Sequence, residues 1–198
     1  MATRHLDLGC GPYPRNPYHQ NELHAVDLVA PAGLDPERFQ CANLALDPIP
    51  HADSSFHSLS AFDFLEHIPR VLTTPDGQAT RFPFVELMGE IHRVLKPDGR
   101  FYALTPAFPR PEALVDPTHV NFITDQTWTY FCGEKPMAGC YGYRGTFQML
   151  RNEWARFPDA FDATRRTSRR RRLSNWVSKL RGFHSHLMWE FRCVKPSP

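Results

Sequence analysis

A short apolar run, Arg4–Leu8, ends abruptly in Gly9-Cys10-Gly11-Pro12. A strand that feeds directly into a glycine turn restricts the possible folds, because backbone without a Cβ lets another chain or a ligand approach closely. In open α/β sheets such turns lie at the carboxyl ends of strands, where ligands settle. A second run, Leu23–Leu28, places Asp27 near its end, twenty positions after Asp7. A carboxylate there can accept hydrogen bonds from a ribose diol on the neighbouring strand end. The dinucleotide fingerprint GxGxxG would require glycine where Pro14 stands, which disfavours a nicotinamide or nucleotide-sugar enzyme.

The following segments keep the alternation of an α/β protein. Strand three is expected around Phe39–Leu44 and strand four at Phe56–Phe62. A helix is expected over Phe84–Leu95, with Val85, Met88, Ile91, His92 and Leu95 on one face. Lys96-Pro97-Asp98-Gly99 reads as a stop and turn before strand five, Arg100–Thr105. Gly145–Phe157 and His186–Val194 read as a final antiparallel pair. A further helix is expected at Trp128–Phe131, begun by Thr124-Asp125. About a dozen residues with three prolines separate strands one and two, so the crossover helix there must be short or absent. The expected fold is α/β: a Rossmann-like, mostly parallel seven-stranded sheet with an antiparallel C-terminal strand pair. Its 198 residues suit a single domain, with a basic insertion at about 158–185 between the last two strands.

These segments, taken in order, resemble class I S-adenosylmethionine-dependent methyltransferases, and more narrowly the small type 11 methyltransferase domain. The resemblance covers roughly residues 4–132. It rests on LDLGCGP, AVDL, Asn43-Leu44 before Pro48-Ile49-Pro50, DSSFHSLSAFDFLEHI and ELMGEIHRVLKPDGRFYALTP. It implies S-adenosylmethionine as cofactor. Gly9, Cys10 and Gly11 would line its methionyl part, and Asp7 would orient that loop near the ammonium. Asp27 would take the ribose hydroxyls, with Leu28 against the adenine and Asn43 and Leu44 beside it. Phe62 and Asp63 would face the sulfonium. Many relatives carry Asp at the position of Asn43; an amide carbonyl can still meet the exocyclic amine. The shortened connector after the glycine turn departs from the pattern, and Tyr13 and Tyr18 could cover the cofactor in its place.

Taken singly, each motif has a plainer reading. A glycine turn after a strand is often only a turn, and Asp27 could cap a loop. Glu66 opening a helix suits the helix dipole whatever its role.

Transfer to an oxygen acceptor needs a base near neutral pH. His119, in Asp116-Pro117-Thr118-His119-Val120-Asn121, is the leading candidate, with His67 second and Glu66 in support. His119 could equally tie down its loop. The acceptor is expected to be a small molecule or a glycan. Phe108, Phe122, Trp128, Tyr130, Phe131, Tyr141 and Tyr143 could build a pocket for it or belong to the core.

The five cysteines are scattered, with no CxxC pair. Neither a zinc site nor a disulfide framework is expected, and no metal is assigned. No stretch is apolar enough to cross a bilayer and no signal-peptide pattern opens the chain, so a cytoplasmic location is expected. The net charge is only +2, but six arginines fall within Arg165–Arg172. That run, followed by Trp176, Val177, Leu180 and Phe183, could meet RNA, an anionic lipid surface or solvent. The competing functional reading is a non-catalytic methyltransferase-like protein that binds nucleic acid, membrane or protein through these arginines.

Overall fold

The computed structural model describes residues 2–157, 160–164 and 184–195. Its sheet strands are β1 (Arg4–Leu8), β2 (Glu22–Asp27), β3 (Phe39–Cys41), β4 (Phe56–Phe62), β5 (Leu95–Pro106), β6 (Phe147–Ala155) and β7 (His186–Cys193). They form one seven-stranded sheet in the order β3-β2-β1-β4-β5-β7-β6. All pairs from β3 to β5 are parallel. β7 is antiparallel to both β5 and β6, so it alone runs in reverse. The strand order moves outward from β1 to β3 and restarts at β4. The gap between the ends of β1 and β4 is therefore a topological switch point.

Strand alternation gives the two sheet faces different chemistry. Leu6 and Leu8 of β1, Leu59 and Ala61 of β4, Phe101 and Ala103 of β5, and Trp189 and Phe191 of β7 belong to one apolar cluster. Helix α1 (Pro83–Val94) packs into it through Phe84, Leu87, Met88, Ile91 and Val94. Its apolar stripe is rotated by about one residue from the expected one. Val85 and His92 are only partly buried, because apolar pairs at 84–85 and 87–88 allow two faces and Phe84 takes the inner one. Pro83 sits in the first turn, where its missing N–H costs nothing. At the other end Ser54 and Ser55 donate backbone N–H to the carbonyls of Arg93 and Val94, at 3.0 and 2.8 Å.

No loop separates α1 from β5. The expected turn at Lys96–Gly99 exists, with Asp98 at φ 60°, but it is spliced into the strand as a bulge. Phe56 and Ser58 of β4 pair with Leu95 and Arg100, so the four residues between protrude. Strand two ends at Asp27 rather than Leu28, and strand three at Cys41 rather than Leu44.

The second face carries no α-helix among the described residues. The β1–β2 connection contains none, as expected, and β2–β3 has only the 3-10 turn Pro36–Arg38. Loop 12–21 and residues Phe157, Ala160 and Ala163 close this face instead. Tyr18 donates to Glu190 Oε1 at 2.8 Å, and Tyr102 donates to the Ala160 carbonyl at 2.7 Å. The Arg15 guanidinium lies 4.9 Å from the ring centres of both Phe62 and Phe161. The expected helix at Trp128–Phe131 is a 3-10 turn, Thr127–Tyr130, with no side-chain cap bond. Thr124 instead closes a local turn, accepting from the Thr127 N–H and donating its own N–H to Thr127 Oγ1.

The expected basic insertion, with Arg165–Arg172 and Trp176–Phe183, lies outside the described residues. No helix among the described residues is long and apolar enough to cross a membrane.

Candidate active site

The polar part of the second face lies beneath the end of β1. His5 and Asp7 alternate with the leucines of β1 and sit in register with Ser58 and Ser60 of β4. All four are buried. Asp7 accepts from Ser60 Oγ at 2.5 Å and from the Arg15 backbone N–H at 2.7 Å. His5 Nε2 lies 2.8 Å from Ser60 Oγ, and its Nδ1 lies 2.7 Å from Ser58 Oγ. Ser60 gives its one hydrogen to Asp7, so it must accept from His5 Nε2–H. His5 Nδ1 then accepts from Ser58. Burial raises the Asp7 carboxyl to about 7, against the lowering effect of its two donors. Burial lowers His5 to about 3 and keeps it neutral. Asp7 thus pins the start of loop 12–21 from below.

Gly9 and Gly11 both have left-handed φ, 60° and 56°. They differ in their surroundings. A Cβ on Gly9 would run into the Phe64 ring, while one on Gly11 would meet nothing within 4 Å. Gly9 therefore serves packing, and Gly11 leaves open space above the backbone. Cys10 is buried, and its thiol is raised to about 12 by burial and the two nearby aspartates, so it stays protonated and inert. Asp27, at the end of β2, accepts from Gly11 N–H at 2.8 Å through Oδ2 and from Leu28 N–H at 2.6 Å through Oδ1. One carboxylate joins the two strand ends, and each oxygen keeps a second lone pair.

The flanks of this cradle follow β2 and β4. Leu28 projects into solvent, 60% exposed. Asn43 turns its carbonyl oxygen to the Ala45 N–H at 3.1 Å, and Leu44 is buried in the core. Phe62 lies in the second face under Arg15, and Asp63 (φ 48°) lies 3.1 Å from His186 Nε2. Tyr18 is tied to Glu190 on the second face, and Tyr13 is 77% exposed. Tyr18 thus helps to seal the sheet.

Beyond Phe64 the chain makes the single 3-10 turn Leu65–His67, not a longer helix. The carbonyl of Glu66 accepts N–H bonds from Val120 and Asn121, both 2.9 Å, clamping this turn to the loop after β5. His67, Glu66 and His119 are brought together in this way. The rings of His67 and His119 meet edge to face at 4.9 Å. Glu66 is 1% exposed; its Oε2 accepts from Thr105 Oγ1 at 2.8 Å and its Oε1 has no partner. Burial raises its carboxyl to about 8.

Arg70, whose Nε donates to Asn121 Oδ1 at 2.6 Å, stands at the rim of a neighbouring cleft of about 630 Å³. Phe108, Phe122, Tyr130, Phe131 and Tyr141 line it with Phe82 and Phe84. Tyr143 and Trp128, also candidates from sequence, pack into the core. A larger hollow, about 910 Å³, opens between residues 44–48 and the outer side of α1. None of Asp7, Gly9, Gly11, Asp27 or Glu66 contributes to its walls, and ion-paired Arg81, Glu86 and Arg93 do.

Sequence reasoning missed Ser60, Arg15 and Phe64. Only the register of β4 against β1, and the fold of the loops, reveals them.

No protein-family model matches the sequence, and no curated protein matches it. The similarity is one of fold. A chain in the complex of the Haloferax volcanii Trm112 methyltransferase activator with a methyltransferase superposes with a TM-score of 0.56 at 12% identity, covering 98% of this chain and 84% of that one. An S-adenosylmethionine-dependent methyltransferase from Mesorhizobium loti gives 0.53 at 14% identity, over 96% and 91%. The [4+2]-cyclase SpnF gives 0.51 at 15%, over 98% and 75%. The chain has the fold of class I S-adenosylmethionine-dependent methyltransferases. The narrower type 11 resemblance rests on the sequence motifs alone.

Proposed function

We propose that this protein is an S-adenosylmethionine-dependent methyltransferase that acts on a hydroxyl of a small molecule or glycan. The observation that carries this reading is Asp27, which bridges the ends of β1 and β2 beside the open face of Gly11. The residues present fit the cofactor. Asp27 has lone pairs left for both ribose hydroxyls, and the space above Gly11 admits the methionyl chain without moving backbone. Asn43, Leu28 and Leu44 flank the adenine end. Asp7 holds the loop from beneath, and its carboxylate favours the ammonium of the methionyl group. Phe62 and Asp63 lead the chain from the cradle to the sulfonium side.

When bound, the cofactor supplies an activated methyl group. What remains for the protein is to place an acceptor in line and to ease loss of its proton. The aromatic cleft beside Arg70 gives an apolar or sugar ring a place to stack. Glu66 and His67 lie on the turn that follows Phe64, and the Glu66 carbonyl joins that turn to Val120 and Asn121, next in the chain to Phe122 of the cleft wall; His119 precedes them. Glu66, His67 and His119 are the groups we assign to the acceptor oxygen.

Calorimetric titration with S-adenosylhomocysteine tests the reading. One-to-one binding is expected, and the absence of heat and of thermal stabilisation would overturn it. Binding without methyl transfer to any pooled acceptor would favour the non-catalytic alternative.

A further inference from the structure

Glu66, His67 and His119 each offer one ligand atom, and these atoms all lie within 4.8 Å of one another. The hydrogen bonds around them determine which nitrogens are free. The Ala113 carbonyl can only accept, so His119 Nδ1, 3.3 Å away, carries the proton. His119 Nε2 is therefore a bare lone pair, and it faces Glu66 Oε1 at 4.0 Å. On His67, Nδ1 lies 3.0 Å from Thr118 Oγ1. The Thr118 hydroxyl donates to Asp116 Oδ1 at 2.6 Å, so it accepts from His67 Nδ1–H. His67 Nε2 is left bare as well. Glu66 Oε1, buried and without a hydrogen-bond partner, completes a corner in which it faces the two bare nitrogens.

We infer that Glu66, His67 and His119 bind one divalent first-row transition cation, of the Zn²⁺ or Mn²⁺ kind. Two imidazole nitrogens and a carboxylate suit such ions better than Mg²⁺, which prefers an all-oxygen shell. Histidines that bind a metal through one nitrogen fix the ring by donating from the other, as both rings do here. The turn and the loop are clamped by the two backbone bonds to the Glu66 carbonyl, so the ligand set is held together before a cation arrives. Ligand atoms about 2.0–2.2 Å from a tetrahedral ion sit about 3.3–3.6 Å apart, so atoms now within 4.8 Å of one another must close by up to about 1–1.5 Å on binding. Asp116 Oδ2, 4.0 Å from His119 Nε2, adds negative charge at the margin.

Three ligands leave coordination positions open. Resting on the reading above, the acceptor hydroxyl takes one of them. Its proton then passes to solvent as the ion lowers its pKa, and the O–CH₃ bond forms as the S–CH₃ bond breaks. His119 becomes a ligand rather than the free base expected from sequence.

Cation binding can be read with neither cofactor nor acceptor present. The full chain, stripped with EDTA, is titrated with Co²⁺ by visible absorption and with Zn²⁺ by competition. One equivalent is expected, with ligand-field bands from Co²⁺. Glu66→Gln, His67→Ala and His119→Ala should each weaken binding by roughly tenfold or more. His19→Ala, at an exposed histidine, should not change it. Circular dichroism identifies any variant that fails to fold, and the isosteric Glu66→Gln is the most conservative probe. No bands and no competition, or binding that survives all three substitutions, would overturn the site. S-adenosylhomocysteine titrated into the same stripped protein keeps the two readings apart: its loss would sink the methyltransferase assignment and leave the cation site standing.

Discussion

Ser60 donates to Asp7 at 2.5 Å and stands 2.8 Å from His5 Nε2, so a single hydroxyl links two buried ionisable groups on β1. The direction of the Asp7 shift makes stability depend on pH. Unfolded, Asp7 releases its proton near 4; folded, near 7. Between those values the folded state binds more protons, so this group's contribution falls as pH rises and levels off above 7. Arg15 opposes the shift and Asp27 adds to it, while neutral His5 contributes no charge. Urea unfolding from pH 4 to 8 should show that decline in the wild type and a flatter profile in Asp7→Asn. Ser60→Ala should cost about 1–3 kcal/mol, because it strands both neighbours. Equal pH profiles for wild type and Asp7→Asn would show that Asp7 ionises normally.

Gly9 and Gly11 should separate stability from binding. Gly9→Ala combines left-handed strain with a clash against Phe64, and a loss of about 2–5 kcal/mol is expected. Gly11→Ala pays the strain alone, about 1–2 kcal/mol. Its new methyl enters the open space, however, and should weaken S-adenosylhomocysteine binding much more than Gly9→Ala does per unit of stability lost. Chemical denaturation and calorimetry on both variants check this.

Asp27→Asn keeps the shape of the side chain but halves its accepting capacity and removes its charge. Charge-assisted hydrogen bonds are worth about 1.5–3 kcal/mol each, so S-adenosylhomocysteine affinity should fall roughly 10- to 100-fold or more. An unchanged dissociation constant would remove Asp27 from the ribose site.

Tyr18 tests the second face. Tyr18→Phe deletes the bond to Glu190, yet Arg151 still neutralises that carboxylate through its Nε at 2.5 Å. A loss of about 0.5–1.5 kcal/mol in stability is expected, with cofactor affinity unchanged. A drop in affinity alone would place Tyr18 over the cofactor after all.

The glycine turn, Asp27 and the order of β1, β2, β4 and β5 are legible in the sequence because each rests on local chemistry: alternation, a missing Cβ, a carboxylate at a strand end. The location of α1 is legible too, but not its inner face, since Phe84 and Val85 compete for the same side. The Lys96–Gly99 turn misleads because a bulge and a free turn use the same residues. His67 and His119 stand out individually as titratable groups near the acceptor side. Their pairing with Glu66 does not, since the backbone bonds that join residues 66 and 120–121 span more than fifty positions. The His5–Ser60–Asp7 chain is hidden for the same reason.

Loop 12–21 depends on Glu190 of β7 for its outer anchor, a contact spanning 172 positions. Among the described residues, side-chain hydrogen bonds to chain outside the loop and nearer than this tie only Arg15, to Asp7, and Asn21, to Thr3, and no α-helix seals the second face locally. Assembly of the N-terminal loop must therefore wait for the last strand to dock. A nascent chain lacking that strand would carry its glycine turn unbraced on one side, so competence to take a ligand should emerge late in folding.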